Sequence, residues 1–186
     1  MLEIEVKILD IDIDAVRETM RKLDAPLVKD EYQNNHIYDF PDNRLLHSKG
    51  YARIRVVKDR KSGEKTVYMT TKRMVSQEKF KRMEEHETKI ASEEDGIGIF
   101  EALGLTLMYT IRKSRESYRY KDSLVEIDIH EKSFCPFPFM EVESPSEEEL
   151  EEVVGLLGYT LGDTTSKTIF EILRERGLTD RDNFGL

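Results

Sequence analysis

The sequence has one cysteine, no tryptophan and five prolines in 186 residues. A lone thiol, Cys135, excludes an internal disulfide framework, so nothing ties the chain to an oxidising compartment. The histidines, His36, His47, His86 and His130, do not stand at zinc-ligand spacing with it. No apolar run approaches the ~18 residues of a membrane-spanning helix. The start, MLEIEVKI, is acidic and alternating, unlike the basic and then apolar opening of a signal peptide. A soluble, cytoplasmic protein without a membrane partner is expected. The net charge of −9 leaves no basic excess for general nucleic-acid binding, although a local basic pocket for a small anion is compatible with it.

Charge is what the chain has in abundance: 36% of its residues are charged, almost as many as the 38% that are hydrophobic, and that charge needs a location. The length fits a single domain over residues 1–186, with no repeat, low-complexity segment or linker to divide it. The opening reads as a strand, and DIDIDAVRETMRKLDAP as a helix capped by Asp12 or Asp14 and stopped before Pro26. KDEYQNNHIYDF reads as a strand followed by a PDN turn. YARIRVVKD and KTVYMTTK form a hairpin around RKSGE. Residues 73–81 are polar and read as a loop before the strand MEEHETKI. Ser92 caps a short helix that Gly104 ends, and a hairpin then turns near Asp122–Ser123. FMEVES is a last strand, Ser146 and Glu149 have capping-box spacing, and SKTIFEILRERG reads as a final helix. About eight mainly antiparallel strands with several helices make an α+β protein.

Alternation assigns each strand an apolar and an ionic face. The ionic faces sort by sign. Glu3/Glu5, Glu85/Glu87, Glu126/Asp128 and Glu141/Glu143 are acidic pairs; Arg53/Arg55 and Lys113/Arg115 are basic, and Lys7 and Lys72 stand singly. Any one pair alone reads as a solvated sheet face. Repeated like-charge neighbours are mildly unfavourable and ask for a ligand of opposite sign. A sheet closed into a barrel would turn all of them into one interior, where carboxylates suit a hard divalent cation and Arg and Lys suit phosphate oxygens.

These residues resemble the CYTH superfamily of triphosphate tunnel enzymes. EIEVK resembles its E-x-E-x-K signature, YDFPDNRLL and YARIRV its tyrosine–aspartate turn and arginine strand, and MTTK its lysine strand. EEHET, IRKSRESY, VEIDI and FMEVE follow in the family's order. The resemblance implies an eight-stranded antiparallel tunnel with helices outside, binding a small-molecule triphosphate or nucleotide with Mg2+ or Mn2+. It implies metal ligands at Glu3, Glu5, Glu141 and Glu143, and metal- or water-positioning groups at Glu85, Glu87 and Asp128. Lys7, Arg53, Arg55, Lys72, Lys113 and Arg115 would hold the triphosphate, and Lys167 would add a contact at the tunnel mouth. A homodimer is a family expectation. Ala52 stands where leucine is common, and SFCPFP replaces a frequent Gly-Leu-Gly turn.

Two reactions use such an interior, hydrolysis of a triphosphate and cyclisation of ATP to cyclic AMP with loss of pyrophosphate. A non-catalytic nucleotide or polyphosphate binder is a third reading, and the many carboxylates argue against it. No stretch clearly reads an adenine, which puts hydrolysis first. GIGIF lacks dinucleotide-loop spacing, KRMVSQEKFKR reads as a solvated hairpin loop rather than a lid, and Cys135 as a packed or loop thiol.

Overall fold

The computed structural model describes residues 2–178, with side chains from Ile4 onward. Eight strands close into an antiparallel barrel: β1 (Leu2–Leu9), β2 (Leu27–Asp39), β3 (Gly50–Asp59), β4 (Lys65–Gln77), β5 (Lys81–Ile90), β6 (Thr106–Tyr120), β7 (Ser123–His130) and β8 (Phe139–Ser144). Around the barrel their order is β1-β5-β4-β3-β2-β6-β7-β8. Helices α1 (Ile13–Lys22), α2 (Arg44–His47), α3 (Glu93–Ala102), α4 (Glu147–Leu156) and α5 (Ile169–Glu175) accompany it. The α+β tunnel is therefore the fold of this chain.

Small barrels usually fill their interior with apolar side chains. This one is inverted. Val6, Ile8, Val125, Ile127, Met140 and Val142 point outward into a core closed by Val16 and Met20 of α1 and Leu150, Val153 and Val154 of α4. Ala52 and Ile54 point outward against Phe100 of α3. Each fully buried aliphatic side chain contributes about 1.5–3 kcal/mol, so the hydrophobic driving force lies outside the barrel wall and leaves the inside free for charge. Ala52 also answers its departure from the family pattern, since it is a packing position.

Local capping agrees with much of the sequence reading. Asp12 caps α1 through Asp14 N and Ala15 N, and Ser92 caps α3 through Asp95 N. At α4 only half of the box forms: Ser146 accepts from Glu149 N, while the Glu149 carboxylate turns to Asp122 N and the Ser123 hydroxyl. The final helix starts later than expected, at Ile169, because Thr168 and Glu171 form the reciprocal box. The expected PDN turn leads into α2, whose amides at Leu45 and Leu46 donate to Asp39 at 3.0 and 2.8 Å.

The loop expected over residues 73–81 is largely strand. β4 runs to Gln77 and β5 begins at Lys81, with Arg73 opposite Glu84 and Gln77 opposite Lys81. The stretch looks like a loop because its outward side chains are charged; those charges instead make ion pairs, Arg73–Glu84 at 2.6 Å and Arg82–Glu147 at 2.5 Å. The hairpin between β6 and β7 turns at Lys121, which has a positive φ of 51°, and Asp122. GIGIF is ordinary α3 helix, and Cys135 is packed against Phe137, Phe139, Ile172 and Leu173.

Candidate functional site

Closure turns the ionic faces into the wall of a cavity of about 700 Å³. Glu5 and Lys7 enter from β1, Arg53 and Arg55 from β3, Lys72 from β4, and Glu85 and Glu87 from β5. Lys113 and Arg115 enter from β6, Asp128 from β7, and Glu141 and Glu143 from β8. Of the residues expected at the site, these twelve share one space. The Glu3 side chain lies outside the described residues. Lys167 does not line the cavity; its ammonium binds Glu175 on α5 at 2.6 Å. Backbone pairing of Thr165 with Lys7 brings Thr168, Ile169 and Phe170 to the tunnel mouth instead and leaves Lys167 pointing away.

The charges form two networks. Around Arg115, Nε and Nη2 donate to the two Asp128 oxygens at 2.7 and 2.6 Å, Nη2 also reaches Glu141 at 2.6 Å, and Nη1 contacts Glu126. Lys113 adds a bond to Asp128 at 2.6 Å. Lys7 bridges Glu5 and Glu141, each at 2.9 Å, and Lys81 contacts Glu5 from β5. On the facing wall Lys72 binds Glu85 at 2.5 Å, Arg55 binds Glu87 at 2.7 Å, and the Thr70 hydroxyl donates to Glu87 at 2.6 Å.

Both signs are nevertheless incompletely compensated. Burial opposes the charge of Glu5, but Lys7 and Lys81 outweigh it and bring its pKa to about 2. Burial likewise opposes Lys7, which Glu141 and Glu5 hold well above the lysine range. For Lys81, Lys113 and Arg55 burial wins: with Lys7, Arg115 and Arg53 respectively as like-charged neighbours, all three are pushed down. The buried Nε donors of Arg53 and Arg55 have no acceptor. Burial, reinforced by Lys113, brings His130 to about 4. Glu143 shows the opposite deficit: burial, then Glu126 and Glu5, raise it to about 8.

Glu126, Glu141 and Glu143 each offer a carboxylate oxygen, all within 4.8 Å of one another. Metal–oxygen bonds of about 2.1 Å bring such a set onto one hard divalent ion with small side-chain adjustment. The residues present therefore fit a metal, because an unpaired carboxylate with a raised pKa is relieved by a cation. Two of the three were expected as ligands from the sequence. Glu126 was legible as half of an acidic pair but carried no assigned role. Lys81 and Lys29, the latter 3.7 Å from Glu126, were missed as cavity residues. For Lys81 the signal was there: it shares parity with Glu85 and Glu87, once the strand is extended to include it.

Residues 1–169 match the family model for the CYTH domain. The chain belongs to the CYTH family. A Methanocaldococcus jannaschii protein, named as a candidate adenylate cyclase, is 29% identical over 128 residues, covering 69% of this chain and 70% of its own. The solved PH1819 protein of Pyrococcus horikoshii superposes with a TM-score of 0.76 at 23% identity, over 94% of this chain and 99% of its own. A Hippeastrum protein, described as a candidate adenylyl cyclase with a dominant triphosphatase activity, superposes with a TM-score of 0.65 at 19% identity, over 96% and 98% of the two chains. CYTH proteins are metal-dependent enzymes of triphosphatase or adenylate cyclase type, and this CYTH chain has an acidic group suited to a metal.

Proposed function

We propose that the tunnel hydrolyses a triphosphate with the help of Mg2+ or Mn2+. The observation that carries this reading is the double charge deficit: orphaned Nε donors on Arg53 and Arg55 call for anionic oxygens, and Glu143 calls for a cation. A triphosphate chelated to a divalent ion supplies both at once. Glu126, Glu141 and Glu143 would hold the ion, with Glu3 and Glu5 from β1 as further candidates; the ion supplies neutralisation of the polyphosphate charge.

The protein's own groups account for the remaining chemistry. Arg53, Arg55, Lys72, Lys113, Arg115, Lys7 and Lys81 would take up phosphate oxygens. In doing so they exchange carboxylates for phosphate, because each of them now contacts a glutamate except Lys113, which contacts Asp128. That exchange frees Glu85, Glu87 and Asp128 to orient a water and accept its proton as the water oxygen attacks the terminal phosphorus. The bridging P–O bond breaks, and orthophosphate leaves from the shortened polyphosphate. Positioning and charge neutralisation of this kind supply most of the catalysis in phosphoryl transfer.

The name of the archaeal relative favours a second reading, cyclisation of ATP in the same tunnel. One experiment separates them. The protein is incubated with Mg2+ or Mn2+ and, separately, inorganic triphosphate, thiamine triphosphate and ATP, and the products are identified. Orthophosphate without cyclic AMP is expected. Cyclic AMP with pyrophosphate would establish the cyclase instead, and tight metal-dependent binding without turnover would make the protein a binder.

A further inference from the structure

A hydroxyl sits among the ions of the β3–β4–β5 wall. In the sheet register Thr70 of β4 stands opposite Arg53 of β3 on one side and opposite Glu87 of β5 on the other. Its Oγ1 donates to Glu87 Oε2 at 2.6 Å and accepts from Arg53 Nη2 at 3.4 Å. An ionised carboxylate only accepts, so the hydroxyl proton points at Glu87. An O–H···O⁻ bond of this length is of the strong, charge-assisted kind. The β-branched threonine side chain has little freedom to turn its hydroxyl away.

Exposure separates the two partners. The Glu87 side chain is 25% exposed and lines the cavity, so it is accessible to water. Thr70 is 1% exposed and does not line the cavity. The arginines that also bind Glu87 do line it: Arg55 Nη2 donates to both carboxylate oxygens at 2.7 and 2.8 Å, and Arg53 Nη2 reaches Oε2 at 3.3 Å. Phosphate oxygens compete with Glu87 for those guanidinium groups. They do not compete for a hydroxyl that the cavity does not reach. When the arginines turn to substrate, Glu87 therefore keeps one fixed donor on Oε2, and Oε1 is released to accept from something else. Among the described residues Asp128 has no such donor, since its bonds come from Lys113 and Arg115, both of them cavity cations.

We propose that Thr70 is a positioning residue of the hydrolysis, and that Glu87, which it holds, is the carboxylate that receives the attacking water. Thr70 anchors Oε2 while Oε1, released by Arg55, accepts a proton from the water. The water oxygen bonds to the terminal phosphorus, the bridging P–O bond breaks, and its electron pair stays on the shortened polyphosphate. The inference rests on the triphosphate reading and narrows its three candidate carboxylates to one.

Steady-state kinetics with Mg2+ compare Thr70→Val, Thr70→Ser and Thr70→Ala on whichever of inorganic triphosphate, thiamine triphosphate and ATP the unmodified protein hydrolyses. Thr70→Val keeps the shape and loses the hydroxyl. Its kcat is expected to fall about ten- to hundred-fold, the cost of a misplaced catalytic group, with KM within about three-fold of the parent. Thr70→Ser keeps the hydroxyl and should retain most of kcat, well above Thr70→Ala, which differs from it by that one group. The Ser–Ala pair decides the matter if Thr70→Val does not fold. In Glu87→Gln, whose kcat is already low, adding Thr70→Val should cost about two-fold more at most, because the two changes disable one unit. Equal losses in Thr70→Ser and Thr70→Ala would overturn the inference and make the role structural. So would an unchanged kcat in Thr70→Val, or its full effect on top of Glu87→Gln. If the unmodified protein releases no orthophosphate from any of the three substrates, the hydrolysis reading fails first and takes this inference with it.

Discussion

Glu143 is a half-buried carboxylate beside the carboxylates of Glu126 and Glu141, with no ion pair or hydrogen bond among the described residues. Burial and then Glu126 and Glu5 raise its pKa from 4.5 to about 8. The folded protein therefore holds this proton more tightly than the unfolded chain does. The resulting stabilisation is complete below the ordinary carboxylate pKa and is lost as pH rises through the window from about 4.5 to about 8. Glu143→Gln removes the titration. In metal-free protein at pH 8.5 it is expected to raise stability by about 2 kcal/mol, an order-of-magnitude figure from ~1.4 kcal/mol per pKa unit discounted for coupling. In thermal melts that is a gain of roughly 5 °C. The same variant should lose most of the stabilisation that added Mn2+ gives the unmodified protein. A variant less stable than its parent at pH 8.5 would show that Glu143 has a cationic partner in solution. At this scale the sequence displayed the identity and sign of nearly every tunnel residue, because alternation alone sorts faces. It could not display which carboxylate lacks a partner, since Glu5 and Glu143 look alike in EIE and EVE, and the partners of Glu5 include Lys81, which only the closed sheet brings from β5 to join Lys7 of its own strand.

Strands and helices show where pattern reading succeeds and where it stops. Strands with an apolar face, such as VEIDI, declared themselves through period-two alternation. The tip of the β4–β5 hairpin did not, because Arg73, Ser76, Lys79 and Arg82 make its outer side as polar as a loop, and that is why Lys81 was missed. The capping residues Asp12, Ser92 and Ser146 were legible; the second half of the Ser146 box was not, since Glu149 is drawn to a turn more than twenty residues away. Gly50 has a role that only packing reveals. A Cβ there would lie 2.5 Å from the carbonyl oxygen of Lys72, so the β3–β4 pair closes only around glycine, opposite Arg73 and next to Tyr51, which faces the tunnel lysine Lys72. Gly50→Ala is expected to cost about 1–3 kcal/mol by overpacking. Chemical denaturation would register it as a lower midpoint at unchanged slope, whereas an unchanged midpoint would mean that the strands separate freely there.

At the scale of the whole molecule, the barrel puts its hydrophobic cores outside and its ions inside. The excess of acidic over basic residues is thus compatible with anion binding, because the tunnel carries its own lysines and arginines. Substrate-free, these are neutralised by glutamates and aspartates that a metal–triphosphate complex would partly displace. Ligand and metal should therefore stabilise the fold together more than either does alone. At about a hundred times the dissociation constant, binding adds about 2.7 kcal/mol, or roughly 5–10 °C for a chain of this size. Melts with Mg2+, with inorganic triphosphate and with both should show the largest shift for both, and a chelator should reduce it to that of triphosphate alone. Equal shifts with and without metal would mean that the carboxylates take no part in holding the complex.

The sequence by itself determined the alternation of apolar and ionic side chains, the sign of each ionic pair and the order of the motifs, and the family resemblance those motifs carry implied the tunnel fold. Those are properties of neighbours along the chain, set by strand geometry. The tertiary structure decided the rest: the gathering of Glu126 with Glu141 and Glu143, the contact of Lys81 with Glu5, and the diversion of Lys167 to Glu175. Each depends on how far strands slide past one another when the barrel closes, and that offset is a property of the closed sheet, fixed by packing of its outer face against the helices.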